Sequence, residues 1–127
     1  MKRIMIVDDE IGARTLIGIM LDRGGFEVLK AGDATQALSM LDQENPDLII
    51  LDVMMPGSMD GIDLCRTIRE RSSTKGTPIL ILSTRGDAES VMRGMDAGAT
   101  DYLPKPILHH DLVAKVRHLL NLNAVTE

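Results

Sequence analysis

Four-residue apolar runs bounded by polar residues set the limits on how this chain folds. Ile4-Met5-Ile6-Val7, Leu48-Ile49-Ile50-Leu51 and Ile79-Leu80-Ile81-Leu82 are continuous, with no polar position on either side of a pleat. Runs this short do not stand alone as helices. As strands they need cover on both faces, which a parallel sheet between two layers of helices provides. Each run also ends in chemistry: the first in Asp8-Asp9, the second in Asp52, the third in Ser83-Thr84.

Between the runs the periodicity is helical. Arg3 to Val7 reads as a first strand, followed by a helix near Ile11 to Arg23 with Leu16, Ile19 and Met20 on its inward face. Asp9 is expected to cap that helix and Gly24-Gly25 to end it. Phe26 to Lys30 is the second strand. Asp33-Ala34-Thr35-Gln36 has the form of a capping box opening a second helix, which runs to about Gln43 with Ala37, Leu38 and Leu41 inward. Asn45-Pro46 breaks it. After the third strand and its loop, a third helix is predicted over about Gly61 to Arg71, with Ile62, Cys65 and Ile68 inward.

Pro78 introduces the fourth strand. The fourth helix is expected from about Asp87 to Asp96, with Val91, Met92 and Met95 inward and Gly98 at its C-terminal end. Thr100 to Leu103 is the fifth strand. A fifth helix runs from about His109 to Asn121 with Leu112, Val116 and Leu119 toward the sheet; Leu108 leaves it without a good N-cap. Alternating strands and helices with right-handed crossovers predict a three-layer α/β/α sandwich. Residues 1–121 are expected to form one domain and residues 122–127 a fraying tail.

Composition narrows the function. The 127 residues carry a net charge of -5, against the basic face that direct nucleic-acid binding requires. The single cysteine, Cys65, excludes an internal disulfide and suits a reducing, cytoplasmic setting. No apolar stretch suggests membrane insertion. With one Phe, one Tyr and no Trp, stacking of flavins or bases has little to work with. The nine methionines read as adaptable core packing.

Ligands of open parallel sheets bind beyond the carboxyl ends of the strands, where these acids and hydroxyls would gather. Crowded carboxylates repel one another and call for a cation. All-oxygen donors favour a hard octahedral ion: Mg²⁺, with Mn²⁺ as an alternative. Such ions commonly bind through one or two carboxylates and a phosphate, which directs attention to phosphoryl chemistry. Asp8 and Asp9 taken alone could simply cap a helix, but Asp52 on a neighbouring strand end argues for a site. Asp52 is the candidate nucleophile, since carboxylates form acyl phosphates. Lys105, between Pro104 and Pro106, offers a positive charge on restrained backbone. A cis Lys105-Pro106 bond is compatible with the sequence and not decided by it. Ser83 offers a hydroxyl to a phosphoryl oxygen, or else bonds its own loop.

Taken together, Asp8-Asp9, Leu51-Asp52-Val53-Met54-Met55-Pro56, Leu82-Ser83-Thr84 and Asp101-Tyr102-Leu103-Pro104-Lys105-Pro106 resemble the receiver domain of two-component response regulators over about Lys2 to Leu120. The resemblance implies strand order 2-1-3-4-5 in a flavodoxin-like sheet. It implies that Asp52 accepts a phosphoryl group from a sensor histidine kinase or phosphotransfer protein. Asp9, Asp52 and the Met54 backbone carbonyl would ligate the metal, with Asp8 acting through water. Ser83, Thr84 and Lys105 would bind the phosphoryl oxygens. Ser83 and Tyr102 would form a switch, Tyr102 turning inward and altering the surface of the fourth helix, fifth strand and fifth helix. That surface would serve a downstream effector or a homodimer. Tyr102 as a half-exposed strand residue is the competing reading. Such a module is not an enzyme beyond its own phosphorylation and slow dephosphorylation.

Two departures from the family pattern stand out. The loop Pro56-Gly57-Ser58-Met59-Asp60-Gly61 is one residue longer than usual. Thr84 occupies a position commonly held by Ala or Gly, which predicts slow labelling by small phosphodonors. Met54 and Arg85 resemble the positions that tune phosphoryl lifetime. His109-His110-Asp111 is not expected to bind metal, because adjacent histidines on a helix diverge. A haloacid-dehalogenase-type phosphatase would show Asp-x-Asp after the first strand, which is absent. A flavodoxin would need a phosphate loop where Asp8-Asp9-Glu10 would repel phosphate. A pseudo-receiver used only for docking would not need all five site positions filled.

Overall fold

The computed structural model describes residues 1–53, 55 and 59–121. The expected Met54 carbonyl ligand, loop residues 56–58 and the tail at 122–127 lie outside these described residues. The elements are β1 (Arg3–Val7), α1 (Ile11–Arg23), β2 (Glu27–Ala31), α2 (Ala34–Glu44), β3 (Leu48–Asp52), α3 (Gly61–Glu70), β4 (Ile79–Ser83), α4 (Ala88–Asp96), β5 (Asp101–Pro104) and α5 (His109–Leu119). All strand pairings are parallel, in the order β2-β1-β3-β4-β5. The chain therefore reverses its direction of travel across the sheet between β1 and β3, the switch point where ligands of open sheets bind.

The apolar runs divide by the two-residue period of the pleat. Met5, Val7, Ile49, Leu51, Ile79 and Ile81 join one core with α2, α3 and Tyr102. Ile4, Ile6, Leu48, Ile50, Leu80 and Leu82 join the other with α1 and α5. These strand residues are essentially inaccessible to water. At about 1.5–3 kcal/mol for each large aliphatic side chain buried, they hold the three layers together.

Two helix faces differ from expectation. On α1 the buried residues are Ile17, Gly18 and Leu21, while Leu16 and Ile19 are exposed and Met20 is only half-buried. The sequence there is apolar over too wide an arc for periodicity to single out one stripe. On α4 the buried residues are Ser90 and Gly94, Val91 is half-buried, and Met92 and Met95 are 63% and 42% exposed. Small residues let α4 approach Ile81 and Tyr102, so bulk misidentified the inner face.

Smaller corrections concern ends and caps. β2 and β5 each lie one residue later than predicted, and α5 ends at Leu119. Glu10, not Asp9, occupies the N-cap position of α1 and makes no side-chain cap; Asp8 Oδ1 instead accepts the Glu10 N–H at 3.0 Å. In α2, Asp33 caps the Gln36 N–H at 2.7 Å, but Gln36 reaches back to the N–H of Gly32 rather than Asp33. α3 carries a full capping box between Asp60 and Asp63 that was not anticipated.

Candidate functional site

Strand register brings the predicted groups to one end of the sheet. Val7 pairs with Leu51, so Asp8 and Asp52 leave β1 and β3 at the same level. Asp52 pairs with Leu82, and Ser83 with Pro104, which sets Ser83 at the last position of β4 and Lys105 just beyond the end of β5. The Lys105 N–H donates to the Ser83 carbonyl at 2.8 Å, and the Lys105-Pro106 bond is cis. Gly61 starts α3 directly against the end of β3. A Cβ at that position would drive into the Asp52 carbonyl oxygen, so only glycine lets helix and strand meet there.

Lys105 Nζ donates to Asp8 Oδ2 at 2.9 Å and lies 3.8 Å from Asp52 Oδ2. Asp8 is almost wholly buried, the Asp52 side chain is 12% exposed, and Asp9 is open to solvent. One carboxylate oxygen from each of Asp8, Asp9 and Asp52 lies within 4.8 Å of the others. At that separation each like-charge pair costs on the order of 3 kcal/mol at an effective dielectric of about 20. One ammonium among three carboxylates leaves a negative surplus. The site is therefore chemically suited to a small divalent cation with oxygen ligands.

Ser83 is fully buried, and its Oγ accepts the Arg85 N–H at 3.0 Å. Thr84 is exposed. It helps line a cavity of about 410 Å³ beside the site, together with Glu10, Leu16, Met20, Lys105 and Ile107. Tyr102 is not the half-exposed strand residue of the competing reading: it is 8% exposed, folded inward, and its hydroxyl donates to the Arg85 carbonyl at 2.5 Å. His109, His110 and Asp111 are exposed at the start of α5.

Sequence reasoning missed Arg14. From the first turns of α1 its Nη1 donates to the Asp8 carbonyl at 2.7 Å, steadying the acidic turn from behind. The only signal was an arginine shortly after the acid pair, too common a pattern to single out.

The description "response regulator receiver domain" belongs to the family model matching residues 4–117. The DNA-binding response regulator MtrA of Mycolicibacterium paratuberculosis is 42% identical over 122 residues, covering 96% of this chain and 52% of that protein. The chain thus spans about half the length of the curated relatives it matches. Chemotaxis protein CheY4 of Vibrio cholerae superposes with a TM-score of 0.89 at 34% identity, covering 94% of this chain and 98% of that one. The BeF3-activated N-terminal receiver domain of Klebsiella pneumoniae RstA gives 0.86 at 30% identity, with coverage of 94% and 98%.

Proposed function

This chain belongs to the response regulator receiver domain family, and from that premise we propose that Asp52 is the carboxylate on which it carries its phosphoryl group. Phosphorylation by a histidine kinase is the role of this family. The observation that carries the assignment to Asp52 is the position of Lys105, whose ammonium lies near both Asp8 and Asp52 at the switch point of the sheet. Asp8 is too buried to meet a donor, whereas Asp52 retains an opening to solvent.

In the transfer, one Asp52 oxygen forms a bond to phosphorus as the nitrogen–phosphorus bond of the donor's phosphohistidine breaks. The nitrogen departs with the electron pair. Lys105 offsets charge on the phosphoryl oxygens, exchanging part of its bond to Asp8 for one to the incoming group. The Ser83 hydroxyl donates to another oxygen, and Thr84 borders the entry. Asp9 and Asp52 would hold Mg²⁺ or Mn²⁺, with Asp8 in support; when bound, the ion neutralises charge shared by the carboxylates and the phosphoryl group. The phosphoryl adds about -1.5 to -2 charge and three strong acceptors, enough to shift a two-state equilibrium at α4, β5 and α5. An effector or a second copy would read that surface.

Labelling by acetyl phosphate tests this reading. Wild type should take up phosphate only with Mg²⁺, Asp52→Asn should take up none, and Thr84→Ala should label faster than wild type. Uptake by Asp52→Asn equal to wild type would refute the assignment. Turnover of p-nitrophenyl phosphate would favour a phosphatase instead.

A further inference from the structure

Gly94 lies in the last turn of α4 and is buried, although glycine stabilises a helix less than alanine would. Its surroundings supply the reason. A Cβ built there would lie 2.9 Å from Ile81 Cδ1 and 3.0 and 3.1 Å from Tyr102 Cδ2 and Cε2. The end of an isoleucine side chain can swing aside. The ring cannot do so in place, because its hydroxyl is bound to the Arg85 carbonyl at 2.5 Å.

The same residue, Arg85, uses its other backbone group on the site: its N–H donates to Ser83 Oγ at 3.0 Å. A continuous path therefore runs from the Ser83 hydroxyl, through the main chain of Arg85, to the Tyr102 hydroxyl, and from the ring to the bare Cα of Gly94. A displacement of the Ser83 hydroxyl moves an atom of the residue that holds the tyrosine. A change in how closely α4 lies on the ring is felt at the other end.

We propose that Gly94 is a positioning residue: its missing side chain keeps the Tyr102 ring folded inward and thereby sets how tightly Ser83 is coupled to α4. The ring's inward position is a matter of packing and does not depend on the reading of Asp52. Only the link from Ser83 onward to a phosphoryl group rests on that reading.

Tyr102 is the sole tyrosine in a chain without tryptophan, so intrinsic fluorescence reports on this one ring. The experiment compares acrylamide quenching and thermal melting in wild type, Gly94→Ala, Tyr102→Leu and the double variant, all unphosphorylated. In wild type the ring should be shielded. Gly94→Ala should raise the quenching constant several-fold and lower the melting temperature. In the Tyr102→Leu background, where no ring is pressed, the same alanine should raise the melting temperature, as alanine does in an ordinary helix. Should Gly94→Ala not fold alone, recovery in the Tyr102→Leu background supports the proposal, and failure to recover overturns it. Unchanged quenching in Gly94→Ala, or equal shifts in melting temperature in both backgrounds, also overturns it. Acetyl phosphate uptake by Gly94→Ala, measured separately, should match wild type; loss of uptake with a still-shielded ring would count against Gly94 acting through Tyr102.

Discussion

α3 and α4 cover the same face of the sheet by opposite means. α3 buries Ile62, Leu64, Cys65 and Ile68, begins on a reciprocal Asp60–Asp63 cap, and starts flush against the end of β3. α4 buries only Ser90 and Gly94, rests on one aromatic ring, and leaves Met92 and Met95 largely in water. The first is fixed by apolar area. The second is held by fit, with little area to lose when it shifts. Elements that move in a switch come from the weakly held part of a fold, and here that part is α4.

The largest test of this contrast is truncation inside α3. Leu64→Ala should lower unfolding free energy by about 3 kcal/mol, measured by urea denaturation. A loss no greater than that caused by trimming α4 would erase the distinction. Next comes the seam between the two helices. Arg69, on α3, donates to the carbonyls of Gly98 at 2.8 Å and Thr77 at 2.6 Å, and to the Thr100 hydroxyl at 3.3 Å. Arg69→Met should cost about 2 kcal/mol by stranding those carbonyls, and should speed amide exchange at the C-terminal end of α4 before it affects α3. Exchange rising equally in both helices would mean that the seam does not anchor α4 in particular.

A smaller effect is expected on the other side of α4, where β5 meets α5. Burial raises the pKa of Asp101, but the Lys115 hydrogen bond, the Tyr102 N–H, and the charges of Lys115 and His118 outweigh it, so the carboxyl lies below its ordinary value of 3.8. A depressed folded-state value stabilises the protein above the unfolded value, and that contribution is lost as pH falls through the folded one. Asp101→Asn should therefore flatten the stability profile below about pH 4 and leave the slope above pH 6 unaltered. A profile parallel to wild type throughout would remove Asp101 from the account. Smallest of all, Met92→Ser and Met95→Ser should each change stability by less than about 0.5 kcal/mol, read by thermal melting. A larger loss from either would mean that α4 is held by area after all.

The same contrast explains what the sequence made legible. The strand runs are apolar on both faces, so their burial and the crossovers followed with few alternatives, while their order came from the resemblance to the receiver family. α3 was legible because its core residues are large and spaced at helical intervals. α4 was not: glycine and serine on the inner face carry no hydropathy signal, and the methionines that do carry one point outward. Asp8, Asp9, Asp52, Ser83 and Lys105 were legible as strand ends, and register brought them together. Two features needed the fold itself. Arg14 reaches the Asp8 carbonyl from a neighbouring helix, and Tyr102 lies inward because a distant glycine makes room.

Among the described residues, the hydrogen bonds of Arg69 go to carbonyls and one hydroxyl, none of which takes up a proton in mild acid. The Lys115–Asp101 pair, by contrast, depends on an ionised carboxylate, one that its partners hold below its ordinary value. Acidification should therefore undo the molecule unevenly: the seam between β5 and α5 slackens first, while the knot tying α3 to the turn before β5 outlasts it.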